Sequence, residues 1–134
     1  MSDYRHTDNA QRVVVTGIGM VTPLGIGKEE FGRRLFAGET GIAEITSFDT
    51  NSLPSHRAAE VKNFRPRDFV SVKNMRRMDK ISLMAAASAR LALDDAGFQI
   101  TPENRDRVGI VLGTAFGATD ITAQFLQTLF TDGP

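Results

Sequence analysis

Three groups of residues have types and spacings that could do chemistry: a glycine pair after a valine run, a cluster of basic side chains, and two histidines. Gly17 and Gly19 lie in RVVVTGIGMVTPLG, residues 12–25, which invites comparison with loops that cradle a nucleotide phosphate on helix N–H groups. That chemistry needs a third glycine three residues on and a helix opening at once. Thr22 stands in that place, Pro23 follows, and the next helix signal waits until Lys28. The phosphate-loop pattern fails too, because Gly27 and Lys28 run into Glu29 rather than serine or threonine. The pair reads as a tight turn at a strand end, where the backbone takes positive φ or approaches a neighbour closely.

The basic cluster is RPRDFVSVKNMRR, residues 65–77, in which Arg65, Arg67, Lys73, Arg76 and Arg77 are set against the single acid Asp68. Sixteen basic and sixteen acidic residues cancel over the whole chain, so this bias is local. Charge alone fits either a docking patch for an acidic partner or a solvated face ahead of a helix. His6 stands in a polar leader and His56 in a loop, and neither has a paired nucleophile or metal-ligand spacing beside it. His6 reads as solvated and His56 as a surface or locally bonded side chain. With no cysteine among 134 residues, a disulfide framework, a thiolate metal site and a cysteine nucleophile are excluded within them.

Balanced charge gives no global pull toward nucleic acid or an anionic membrane. No stretch approaches membrane-spanning length, and MSDYRHTDNAQ lacks the apolar centre of a signal peptide. A soluble, cytoplasmic setting is expected, with residues 1–11 as a mobile polar tail and residues 12–134 as one structural unit.

The elements that must position these residues follow from periodicity. Val13, Val14 and Val15 form a continuous β-branched run, the mark of a strand covered on both faces. KEEFGRRLFAG predicts a short helix with Phe31, Leu35 and Phe36 on one side and Gly38 ending it. Residues 39–57 read as irregular, anchored by Phe48 and Leu53, before a short strand over residues 58–61. MRRMDKISLMAAASARLALDDAG predicts a helix from Met75, with Met78, Ile81, Ala85, Ser88 and Ala92 on one face and Gly97 as its cap. Its alanine-rich middle lets another element approach closely, so it reads as internal. Thr101 caps a single helical turn. Residues 108–112 then repeat the opening theme, a short apolar strand that runs into Gly113 and Gly117. A last amphipathic segment places Ile121, Phe125 and Leu129 on one face. Two strand-to-glycine-turn units joined by a helix and a crossover predict an α/β fold with parallel strands in a layered sheet.

The order and spacing of VVVTGIGMVTPLG, LFAGETGI, FDT, MRRMDK, the alanine-rich helix ending LALDDAG, and RVGIVLGTAFG resemble the N-terminal part of β-ketoacyl-[acyl carrier protein] synthases of the elongating type. These are the condensing enzymes of fatty acid and aromatic polyketide assembly. The resemblance runs from Arg12 to Pro134 and leaves out the tail. It implies a thiolase-like αβαβα fold of two similar halves, with this chain as the larger part of the first half, truncated before the catalytic residues.

The resemblance also implies roles. Lys73, Arg76 and Arg77 match the basic segment that docks the acidic acyl carrier protein. Phe116, in GTAFGA, falls where the family places a residue lining the acyl pocket, often a smaller aliphatic one, so a phenylalanine there would restrict or gate the chain accepted. In the family a cysteine thiolate takes the acyl group from its carrier, and two histidines assist decarboxylation of a malonyl carrier whose carbanion attacks the thioester. Those residues lie downstream of Pro134. The resemblance therefore assigns no catalytic residue and no metal to this chain, and neither His6 nor His56 takes the role. The chain alone is expected to be inactive. No cofactor is implied beyond the phosphopantetheine that carries the substrates. The partners implied are acyl carrier protein and a second subunit: a homodimer for a synthase, or a heterodimer for the alternative, a non-catalytic chain-length-factor-like partner without the cysteine.

Overall fold

The computed structural model describes residues 12–133; the tail at 1–11, with His6, and Pro134 lie outside the described residues. Helix α1, Lys28–Phe36, begins with Glu29 and Glu30 at the positive end of its dipole and closes with Arg33 and Arg34 at the negative end. Arg33 holds Glu30 through two hydrogen bonds, of 2.8 and 3.0 Å. The chain leaves α1 through Gly38 at φ 71°, a left-handed position that glycine takes at no steric cost. The expected helix and its cap are both present, although Phe36 faces solvent. Just before it, β1 (Val21–Thr22) and β2 (Gly25–Ile26) make a hairpin around Pro23 and Leu24, with Val21 opposite Ile26.

The segment expected to be irregular contains a strand. β3 (Ile42–Glu44) pairs antiparallel with β4 (Arg57–Ala59), Ala43 opposite Ala58. A three-residue strand is too short to display an alternation, which is why the pattern missed β3. β4 takes the place of the strand expected at 58–61, displaced toward the N terminus. Glu60 then closes the base of this hairpin: its carboxylate accepts hydrogen bonds from the amide and hydroxyl of both Thr46 and Ser47. The Ser47 hydroxyl and the Thr46 amide pull the Glu60 carboxyl down to about 2.

The long helix expected from Met75 starts only at Lys80, behind a separate helical turn. α2 spans Val72–Met75 and α3 spans Lys80–Asp95. Between them Asp79 is extended, and its carboxylate accepts the Ser82 amide at 2.7 Å, so a fresh helix N-terminus forms there. Met78 therefore falls outside α3, and its apolar face begins at Ile81. Gly97, at φ 60°, follows its end as expected. Ala87 is the fully buried hydrophobic residue among those described.

The small side chains of α3 do admit a close neighbour. A Cβ on Gly19 would sit 2.6 Å from the Ala92 amide nitrogen, and one on Gly17 would sit 2.6 Å from that of Ala96. Both glycines are therefore required by contact with the helix. Asp95 fastens the same place: one carboxylate oxygen accepts the Ile18 amide at 2.9 Å and the other pairs with Lys28. The Lys28 ammonium and the Ile18 amide hold the Asp95 carboxyl below its ordinary range.

The parallel layered sheet is not formed by these residues. Neither Val13, Val14 and Val15 nor residues 108–112 are assigned to a strand, and Val13 and Val111 are 97% and 101% exposed. Backbone N–H and C=O groups in a strand are satisfied by a neighbouring strand, and within residues 12–133 no such neighbour lies beside either run. The strands present are antiparallel hairpins. Thr101 does start a helical turn, its carbonyl accepting the Arg105 amide at 3.0 Å, and a 3₁₀ turn follows over Arg105–Arg107. Helix α4, Thr119–Asp132, forms as predicted, but Ile121 and Phe125 are exposed and only Leu129 of the expected face is half-buried.

Candidate functional site

The basic segment is built as a ridge. After Asn63, at φ 60°, the rings of Phe64 and Phe69 stack with centroids 6.1 Å apart and an interplanar angle of 18°. They bracket a 3₁₀ turn over Pro66–Asp68, closed by the Val70 and Phe69 amides on the Pro66 carbonyl at 2.9 and 3.1 Å. Proline fixes φ at the first position of that turn, where a missing N–H costs nothing. Ser71 restarts the chain into α2, and the Arg77 and Met78 amides continue its turn onto the carbonyls of Asn74 and Met75. Phe64, Phe69, Val70, Met75 and Met78 are half-buried, whereas Arg65, Arg67, Lys73, Arg76 and Arg77 are all exposed. The alternation of apolar and basic residues thus sorts into an inner and an outer side.

Ion pairing divides the cations of the chain: among the described residues outside the ridge, Arg12, Arg57, Lys62, Lys80 and Arg107 have no carboxylate within 4 Å and five others do. Lys28, Arg33, Arg34, Arg90 and Arg105 each approach a carboxylate within 4 Å. Among the described residues no carboxylate pairs with Arg65, Arg67, Lys73, Arg76 or Arg77. Asp79, at the end of the ridge, is committed to Ser82, whose hydroxyl and amide hold its carboxyl below the ordinary range. Chemically, the ridge can attract and orient an anionic surface. It contains no nucleophile paired with a base.

Beside the ridge a cleft of about 510 Å³ opens between α3 and the second glycine turn, lined by Ile81, Ser82, Met84 and Ala85 on one side and Leu112, Thr114 and Gly117 on the other. Phe116 belongs to the same turn but does not line this cleft. Phe116 is 82% exposed, while its carbonyl accepts the Thr119 hydroxyl at 2.6 Å. His56 is exposed and bonded locally, with Nδ1 3.0 Å from the Thr50 hydroxyl, in keeping with the sequence. Among the described residues no group of His, Cys, Asp and Glu could hold a metal, and no helix is long and apolar enough to cross a membrane.

Sequence reasoning missed Asp79 and Asp95, the two carboxylates that set the frame. Asp79 had a readable signal, an acid three residues before Ser82 at the head of an apolar run. Asp95 had none, because its partner Ile18 lies 77 residues away.

The family described as β-ketoacyl synthase, N-terminal domain, matches residues 10–133. Among curated proteins, the 3-oxoacyl-[acyl-carrier-protein] synthase 2 of Coxiella burnetii is 38% identical over 124 residues, covering 92% of this chain and 30% of that protein. The protein of the same name from Vibrio harveyi is 37% identical over the same shares of the two chains. Among solved structures, the ishigamide ketosynthase/chain length factor superposes with a TM-score of 0.70 at 32% identity, over 90% of this chain and 30% of that one. This chain thus spans about 30% of the length of the relatives it matches.

Proposed function

This chain belongs to the β-ketoacyl synthase family through its N-terminal domain, and on that premise we propose that the protein carrying it elongates acyl chains by decarboxylative condensation. An acyl group would pass from its carrier to a cysteine thiolate. Loss of CO₂ from a malonyl carrier would then generate the carbanion that attacks that thioester, forming the new C–C bond as the thiolate leaves. The cysteine and the assisting histidines are assigned outside these residues, so the chain by itself would not turn over. The proposed assembly is the layered thiolase-like fold, in which further strands would pair with the runs at 13–15 and 108–112. The proposed setting is cytoplasmic, with no resident cofactor.

The contribution proposed for this domain is recognition. Lys73, Arg76 and Arg77 receive the acidic face of acyl carrier protein, and Phe116 limits the chain accepted. The observation that carries the docking role is the ridge itself: exposed cations that pair with no carboxylate among the described residues, on a turn-and-helix frame held by its own hydrogen bonds, in a chain of zero net charge. Complementary charge of this kind chiefly accelerates encounter and fixes orientation. In the full-length protein, R76E/R77E should weaken carrier binding at low salt by about tenfold or more. Unchanged affinity in a titration calorimeter would remove the docking role.

A second reading is favoured by one observation, that a solved structure similar to this chain is a ketosynthase/chain length factor. In that reading the protein is the non-catalytic partner in a heterodimer. Turnover of acyl and malonyl carriers by the purified protein without a second subunit separates a synthase from such a partner.

A further inference from the structure

We propose that the carrier-docking face extends from Lys73, Arg76 and Arg77 onto the 3₁₀ turn, where Arg65 and Arg67 make a second point of attachment. The inference rests on the docking reading above and adds the partner's shape: its acidic side chains must run far enough to meet both ends of the ridge at once. Residues 62–80 hold seven cations and two carboxylates, and of those carboxylates Asp79 is engaged by Ser82. Like charges so concentrated repel one another, and an acidic surface laid across them relieves that repulsion.

Three features suit the turn to this task. Arg65 and Arg67 are exposed, and among the described residues no carboxylate pairs with either. The stacked Phe64 and Phe69 and the hydrogen bonds to the Pro66 carbonyl hold their backbone, so little ordering is needed on binding. The turn also packs against both α2 and α3, so the frame that carries Arg76 and Arg77 fixes the arginines of the turn relative to them. Both are arginine rather than lysine, and a guanidinium fork can hold a carboxylate through two parallel hydrogen bonds.

The test uses the full-length protein, with acyl carrier protein as the probe, across a salt series. R65E/R67E should slow association about tenfold at low salt and flatten its salt dependence, while the melting temperature stays that of the unmodified protein. R65K/R67K keeps the charge and should retain most of the association rate, but should dissociate faster for want of the fork. Loss of binding in both R65E/R67E and R76E/R77E supports the extended face. Loss in R76E/R77E alone overturns the extension and leaves the original docking role standing. Loss in neither overturns both.

Discussion

The chain contains two segments that look alike in sequence, VVVTGIG and GIVLGTAFG, each an apolar run leading into a glycine-rich turn. Their surroundings are opposite. Around Gly17 and Gly19 the backbone of α3 is so close that no side chain fits, and Asp95 ties Ile18 to the end of that helix. Around Gly109 and Gly113 an added Cβ would meet nothing within 4 Å, and Phe116 stands in solvent. Glycine in the first turn is a packing requirement. In the second it leaves the backbone unobstructed at Gly109 and Gly113, and only Gly117, whose added Cβ would sit 2.8 Å from the Thr114 side chain, is crowded, by its own turn.

The strongest way to break the comparison is to add the same methyl group to both turns. Gly19→Ala must displace the α3 backbone and should destabilise the protein by about 1–3 kcal/mol, whereas Gly113→Ala should stay within about 0.5 kcal/mol. Equal losses in urea unfolding would show that the two turns are equivalent. A smaller difference should appear with pH. Because the Asp95 carboxyl is held below its ordinary value of 3.8, its contribution is present above that value and fades as pH falls through its folded-state pKa. The protection of the Ile18 amide relative to its intrinsic exchange rate at each pH should therefore fall under acid, and Asp95→Ala should abolish that acid sensitivity. Persistent protection of Ile18 in the alanine variant would mean that packing alone holds the turn. The smallest effect on stability is expected at the second turn: Phe116→Ala should leave the unfolding midpoint unchanged, since the residue is exposed. In the full-length protein it should lengthen the products or broaden the primers accepted. An identical product profile would remove Phe116 from chain selection.

Local signals were legible in the sequence and distant ones were not. α1, its Gly38 cap, the alanine-rich helix, the turn at Thr101 and α4 follow from periodicity and capping within a few residues. The close approach at Gly17 and Gly19 was also legible in kind, since glycines and small helical residues both permit it. The start of α3 was misread because a continuous apolar pattern hid the cap at Asp79. The two core strands were read from their composition, but composition reports what a segment needs, not whether residues 12–133 provide it. As for the candidate site, the charge of the ridge was plain from residues 65–77. That no carboxylate among the described residues pairs with its cations depends on tertiary placement, and so does the stacking of Phe64 on Phe69.

The contact between Ile18 and Asp95 also bears on how the chain reaches its native state. It closes a loop of 77 residues, and the entropy of such a closure must be spent before the contact returns anything. α3 needs no such closure, being built from hydrogen bonds between near neighbours over 16 residues. The helix can thus exist as a template before the glycine segment arrives. The small residues along it leave a surface to which the glycine segment can close without any side chain having to move aside.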